Sequence, residues 1–195
     1  MIGSLVSFKR RFPGIWRVVE KVNGVLFRCR YGRIDTLVQT QLDGVAALDY
    51  RFALLEEADV PELERFLCGQ DPDYVTWFHP HSFDRATLET LWKNPSFVMM
   101  KVTDPSGGEL IGYFFLRCFF IGRAFAGLIV DKTWQGRGIG ASIWNVCALI
   151  CSKAGLKMQA TISSENKASL ASCRKGAGVK EVRDLGNDYV VVECS

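Results

Sequence analysis

The stretch WQGRGIGA, residues 134–141, lies between a strand-like run, AFAGLIV (124–130), and a helix-like run, ASIWNVCALICSK (141–153). Glycines at 136, 138 and 140 weaken any helix or strand that contains them, so their place is a turn that hands a strand over to a helix. In such a turn, bare backbone lets several amide N–H groups converge at the positive end of the helix dipole. That point holds an anion. Each N–H bonded to a charged oxygen contributes about 1.5–3 kcal/mol, so a pyrophosphate is gripped without a lysine.

Working outward, the pattern predicts a basic helix over residues 14–31, a connection, and a strand RFALLEE from Arg51. Asp59 with Glu62 reads as a capping pair for a helix ending at Cys68. After an irregular segment holding WFHPHSF (77–83) come a helix from Asp84 that stops before Asn94-Pro95 and the strand SFVMMKV. DPSGG is turn chemistry leading into ELIGYFFLRCFF, and RAFAGLIV is the next strand. Beyond the glycines, the helix stops at Gly155, KMQATI is a short strand, NKASLASCRK a helix, and VKEVRDL with YVVVEC a hairpin about Gly186-Asn187. The order is mixed α+β, with one strand–helix–strand crossover around the glycines.

Composition bounds the function. With 48% apolar residues over 195 positions, the chain suits one globular domain with or without an appendage. Residues 1–33 hold eight Lys or Arg against Glu20 alone, a balance of +7, so the overall +3 leaves the remainder at −4. The positive charge therefore belongs to the N-terminus. Seven cysteines in no repeated framework and without a CxxC pair predict packed thiols in a reducing, cytoplasmic compartment and no metal site. The apolar stretch 110–130 is broken by Arg117, Arg123 and a turn signal, which reads as two strands and not a membrane span. The first eight residues lack the core and cleavage site of a signal peptide.

Two common phosphate sites are set aside. The P-loop lysine is absent. Gly136-x-Gly138-x-x-Ala141 fits the dinucleotide fingerprint formally, with Glu165 as an acidic ribose partner. In that fold, however, the turn follows its strand directly, whereas residues 131–135 intervene here, and too little chain remains for a doubly wound sheet.

Gln135-x-x-Gly138-x-Gly140, after a strand ending in Val130, resembles the acyl-CoA signature of the GNAT superfamily of N-acyltransferases: Arg or Gln, two residues, Gly, one residue, Gly or Ala. The element order from about Tyr50 onward follows the same plan, and ENKASLASCRKGAGV (165–179) resembles its later Asn-containing helix. The resemblance implies a mixed, centrally splayed β-sheet flanked by helices. It divides the chain into an N-terminal basic helical appendage (1–48) and an acetyltransferase domain (49–195). It also implies acetyl-CoA as acyl donor, backbone pairing of pantetheine with Ile129 and Val130, a pyrophosphate held by Gln135, Gly136, Arg137, Gly138, Ile139, Gly140 and Ala141, and Asn166 on the pantetheine arm.

The chain departs from the pattern where proton transfer is concerned. Cys173 stands where many members place the Tyr that protonates the leaving thiolate, Val179 stands where an aromatic is usual, and RAFAGLIV offers no carboxylate as base. Amide formation needs a neutral amine, so a proton acceptor near neutrality is useful. His79 and His81, flanking Pro80, are the only histidines; they are candidates for that role or are two hydrogen-bonded loop imidazoles. Tyr189 is a candidate acid if the C-terminal hairpin bends toward the cleft. FHPHSF also resembles GNAT proteins of bacterial polysaccharide pathways, which implies a nucleotide-linked amino sugar as acceptor. The expected activity is acetyl transfer to a primary amine of a small molecule by direct attack. A protein N-terminal or lysine acetyltransferase and a non-catalytic CoA-binding module are the alternatives. Trp77, Phe78, Phe83 and Trp92 line either the core or the acceptor pocket.

Ile15, Val18, Val19, Val22, Leu26 and Cys29 share one face of the N-terminal helix, with Arg17, Lys21 and Arg28 mostly off it. Packing on the domain, packing on a second copy as a homodimer, or contact of residues 9–33 with an anionic membrane surface or partner protein all fit that pattern. An acidic body without a recognition motif argues against nucleic acid.

Overall fold

The computed structural model describes residues 13–45, 50–104, 106, 108–186 and 188–194. Helices α1 (Pro13–Tyr31) and α2 (Asp35–Asp43) precede strand β1 (Arg51–Leu54), helices α3 (Val60–Cys68) and α4 (Arg85–Trp92), and strands β2 (Phe97–Thr103), β3 (Leu110–Phe119) and β4 (Arg123–Val130). Helix α5 (Ile139–Ala154), strand β5 (Lys157–Ser163), helix α6 (Lys167–Ala177) and the hairpin β6 (Val179–Gly186) and β7 (Tyr189–Cys194) complete the chain. The seven strands form one sheet in the order β1-β2-β3-β4-β5-β7-β6, in which only β4 and β5 run parallel. Asn187, at the predicted turn of the last hairpin, lies outside the described residues.

Each face of the sheet buries its own apolar layer. Under α1, α2, α5 and α6 lie Phe27, Val38, Met100, Phe114, Ile143 and Trp144. Under α3 and α4 lie Leu63, Leu67, Leu88, Met99, Tyr113 and Phe115. Alternation along β3 divides these layers, with Phe114 and Leu116 facing one way and Tyr113 and Phe115 the other. Five of the seven cysteines are buried, and burial pushes the Cys118 and Cys147 thiols well up and that of Cys151 to about 12. Among the described residues no group of three or more His, Cys, Asp or Glu could hold a metal, and no helix is long and apolar enough to cross a membrane.

Two local readings differ. The capping pair before α3 is Glu56 with Asp59, closing a 3-10 turn over Glu57–Asp59, because Glu56 is the extended residue while Asp59 already has helical dihedrals. The apolar face of α1 does not pack inward. The helix docks through Glu20, Asn23 and Phe27: Glu20 pairs with Arg117 at 2.6 Å, and Asn23 donates to the Ser96 hydroxyl and the Cys118 carbonyl. The docked face combines these polar contacts with Phe27, fully buried in the core layer, and Tyr31, packed against that layer.

Candidate active site

Where β4 meets β5 the sheet opens. Parallel pairing covers only Arg123–Phe125 against Lys157–Gln159, although β4 runs on to Val130 and β5 to Ser163. The Asp131 N–H donates to the Ile111 carbonyl at 2.8 Å, and directly opposed residues in an antiparallel ladder alternate between bonded and unbonded pairs. Odd-numbered β4 residues are therefore bonded to β3, and even-numbered ones turn their amides toward β5. Beyond the split, the backbone of Leu128 and Val130 faces the gap as an internal strand edge, while Ile129 is occupied by Tyr113. Of the two residues expected to pair with pantetheine, Val130 turns its backbone to the gap, whereas Ile129 is bonded to Tyr113 of β3.

A cleft of about 590 Å³ follows this gap, lined by β4 from Ala126 to Val130, by Gln135, Gly136 and Gly138–Ala141, and by Thr161–Ser163 and Asn166. Asp131 closes a 3-10 turn over Lys132–Trp134, accepting from the Thr133 N–H, and this turn carries the chain from β4 to the glycines. Gly136 and Gly138 have φ of +75° and +84°, a region that L side chains rarely adopt. A Cβ on Gly138 would meet no atom within 4 Å, so its bare side faces open space. The first backbone bond of α5 runs from Ser142 N–H to Gly138 carbonyl, which leaves the amides of Ile139, Gly140 and Ala141 without intrahelical acceptors. Three donors, the dipole of a sixteen-residue helix and Lys175 in the cleft lining can together hold an anion such as a diphosphate. Arg137 instead lies over the Trp134 ring, 4.3 Å from its centroid.

The other expected residues fall in different places. Asn166 lines the cleft as N-cap of α6, its Oδ1 accepting from the Ser169 N–H at 2.9 Å. His81 is wedged among Phe83, Phe97, Tyr113 and Phe115. Its Nδ1 lies 2.8 Å from the Ser82 carbonyl, which can only accept, so Nδ1 carries the proton and Nε2 faces the Tyr113 hydroxyl at 3.2 Å. His79 is exposed and stacks on Phe83, one residue beyond cleft-lining Phe78. Neither imidazole lines the cleft, and neither does Tyr189, which pairs with Ser163. Cys173 is buried against Cys194, and that hydrogen bond together with burial pushes its thiol well up. Trp77 and Phe78 form a cleft wall, while Phe83 and Trp92 pack onto the second core layer.

Sequence reading missed Tyr74, Lys175 and Trp144, which line the cleft without any local motif. The Tyr74 hydroxyl donates to the Val130 carbonyl and also meets the Gln135 side chain, tying the segment between α3 and α4 to the splayed edge and the glycine turn. Burial raises the Tyr74 pKa above the ordinary phenol value, so it remains a donor at neutral pH. Its hydroxyl fixes the Val130 end of the open strand edge beside the glycine turn. Tyr74→Phe is expected to raise KM for acetyl-CoA about fivefold, the worth of about one hydrogen bond, with kcat unchanged. A fall in kcat at constant KM in steady-state assays would place the phenol in the chemistry instead.

A family model, Acetyltransferase (GNAT) family, matches residues 62–178, and the chain belongs to this family. It is an acetyl-CoA-dependent N-acetyltransferase. No curated protein matches it significantly. Among solved structures, the GNAT domain of S. lividans PAT superposes with a TM-score of 0.63 at 16% identity, over 74% of this chain and 89% of that one. The ribosomal-protein-S5-alanine acetyltransferase from Vibrio fischeri gives 0.60 at 16% identity, over 75% and 92%. The spermidine N-acetyltransferase from Vibrio cholerae, solved with CoA and spermine, gives 0.55 at 19% identity, over 74% and 93%. At these identities the likeness is one of fold.

Proposed function

We propose that residues 49–195 transfer acetyl from acetyl-CoA to the primary amine of a small molecule, with a nucleotide-linked amino sugar as acceptor, in a reducing cytoplasm. The observation that carries this reading is a strand edge leading from the glycine turn into a cleft walled by Trp77 and Phe78, with no carboxylate among its described lining residues. Aromatic faces suit a sugar or base ring, and a polycation would be poorly served without acidic partners. With the diphosphate at residues 138–141, pantetheine runs back along β4 from Val130 and sets the thioester near Ala126–Leu128. The amine nitrogen attacks the thioester carbon, the Leu128 N–H supports the developing oxyanion, and collapse expels the thiolate as the ammonium proton is lost. His79 is the candidate acceptor of that proton through water, His81 positions the loop, and Tyr189 is the more remote candidate acid.

Thiol release measured over a panel of amines tests this. We expect the highest kcat/KM with nucleotide-linked amino sugars. Turnover restricted to peptides would replace the reading with a protein acetyltransferase, and CoA binding without turnover would make the chain a non-catalytic module. His79→Ala should lower kcat about tenfold or more; full turnover in both His79→Ala and His81→Ala would remove the imidazoles from the chemistry.

A further inference from the structure

We infer that α1 lies on the surface of an anionic lipid bilayer, independently of which amine the cleft accepts. The helix is docked with the face opposite its apolar stripe inward. Glu20, Asn23 and Phe27 hold it to the sheet, while Ile15, Val18, Val19, Val22, Val25 and Leu26, 41% to 61% exposed, form a continuous outward arc.

Two further exposed apolar side chains stand beside the helix. The β3–β4 turn is tied to the docked side of α1, with Phe120 N–H donating to Asn23 and the Arg30 guanidinium donating to the Phe120 carbonyl. Phe120 and Ile121 are exposed there. The opposite border of the arc carries Arg17, Lys21 and Arg28, all exposed, and the one acidic residue of α1, Glu20, is consumed by Arg117.

An outward apolar stripe with a cationic border complements anionic headgroups above acyl chains. A second copy docked through this face would bring two borders of the same sign together. Spanning is ruled out for this helix by its charged and polar residues.

The test is co-sedimentation of the full chain with vesicles of phosphatidylcholine alone and of phosphatidylcholine mixed with phosphatidylglycerol. Expected are binding about tenfold stronger to the anionic vesicles, loss of that preference in high salt, and about tenfold weaker binding for Val18→Glu/Val22→Glu and for Arg17→Glu/Lys21→Glu. These positions are exposed, and unchanged CoA affinity serves as the folding control. Absence of vesicle binding, equal binding to both vesicle types, or binding indifferent to the substitutions overturns the inference. A concentration-dependent dimer abolished by Val18→Glu/Val22→Glu, without vesicle binding, would assign the face to a second copy.

Discussion

Gly138→Ala is expected to weaken coenzyme A binding by about tenfold or more, measured by titration calorimetry. An alanine held at φ +84° is strained by about 1–2 kcal/mol. Relief requires rotating the peptide that presents the first amides of α5, and losing one charge-assisted bond is already worth about tenfold. Its Cβ would also project into the open space in front of the turn, since no protein atom lies within 4 Å, and would compete there with the diphosphate proposed for it. Gly140→Ala is the internal control. Its Cβ would rest 3.6 Å from Ser172, an ordinary contact, and its backbone is helical. Binding should therefore be nearly unchanged there. Equal affinities for Gly138→Ala and the parent chain would remove the diphosphate from this turn.

The second large effect falls outside the glycine turn. Gly176 on α6 faces α5 so closely that a Cβ would overlap the Ala141 carbonyl oxygen and come within 2.9 Å of the Trp144 Cβ. Backbone cannot yield as a side-chain tip can, so Gly176→Ala must part the two helices. Overpacking of this kind costs about 3 kcal/mol, a fall in Tm of about 10 °C for a chain of this length. Because Ala141 ends the anion-binding turn, CoA affinity should fall with stability. The Trp144 indole N–H to Ser172 hydroxyl bond, 3.2 Å long, spans the same interface, so its indole fluorescence should shift. An unchanged Tm in thermal denaturation would show that the helices have slack here.

What the sequence determined by itself was whatever depends on neighbours along the chain. Backbone permissiveness is local, so glycines at 136 and 138 marked the turn, and they hold the positive φ that it needs. Side-chain period is local too, so the strands from Phe97 to Val130 and the helix after Gly138 were legible, as were the thiols at 118, 147 and 151 as core. Tertiary structure alone decided which faces meet and which backbone edges stay open. The ladder with β3 chose Leu128 over Ile129 for the gap, because hydrogen-bond parity in a strand depends on its partner. The face of α1 carrying Glu20, Asn23 and Phe27 won the interface, and the partners of the first two, Arg117, Ser96 and Cys118, are distant in sequence. Tyr74, Lys175 and Trp144 became cleft residues, and His81 a packed one, for the same reason: a side chain's chemistry is set by what folding brings against it, and no spacing in the chain encodes that.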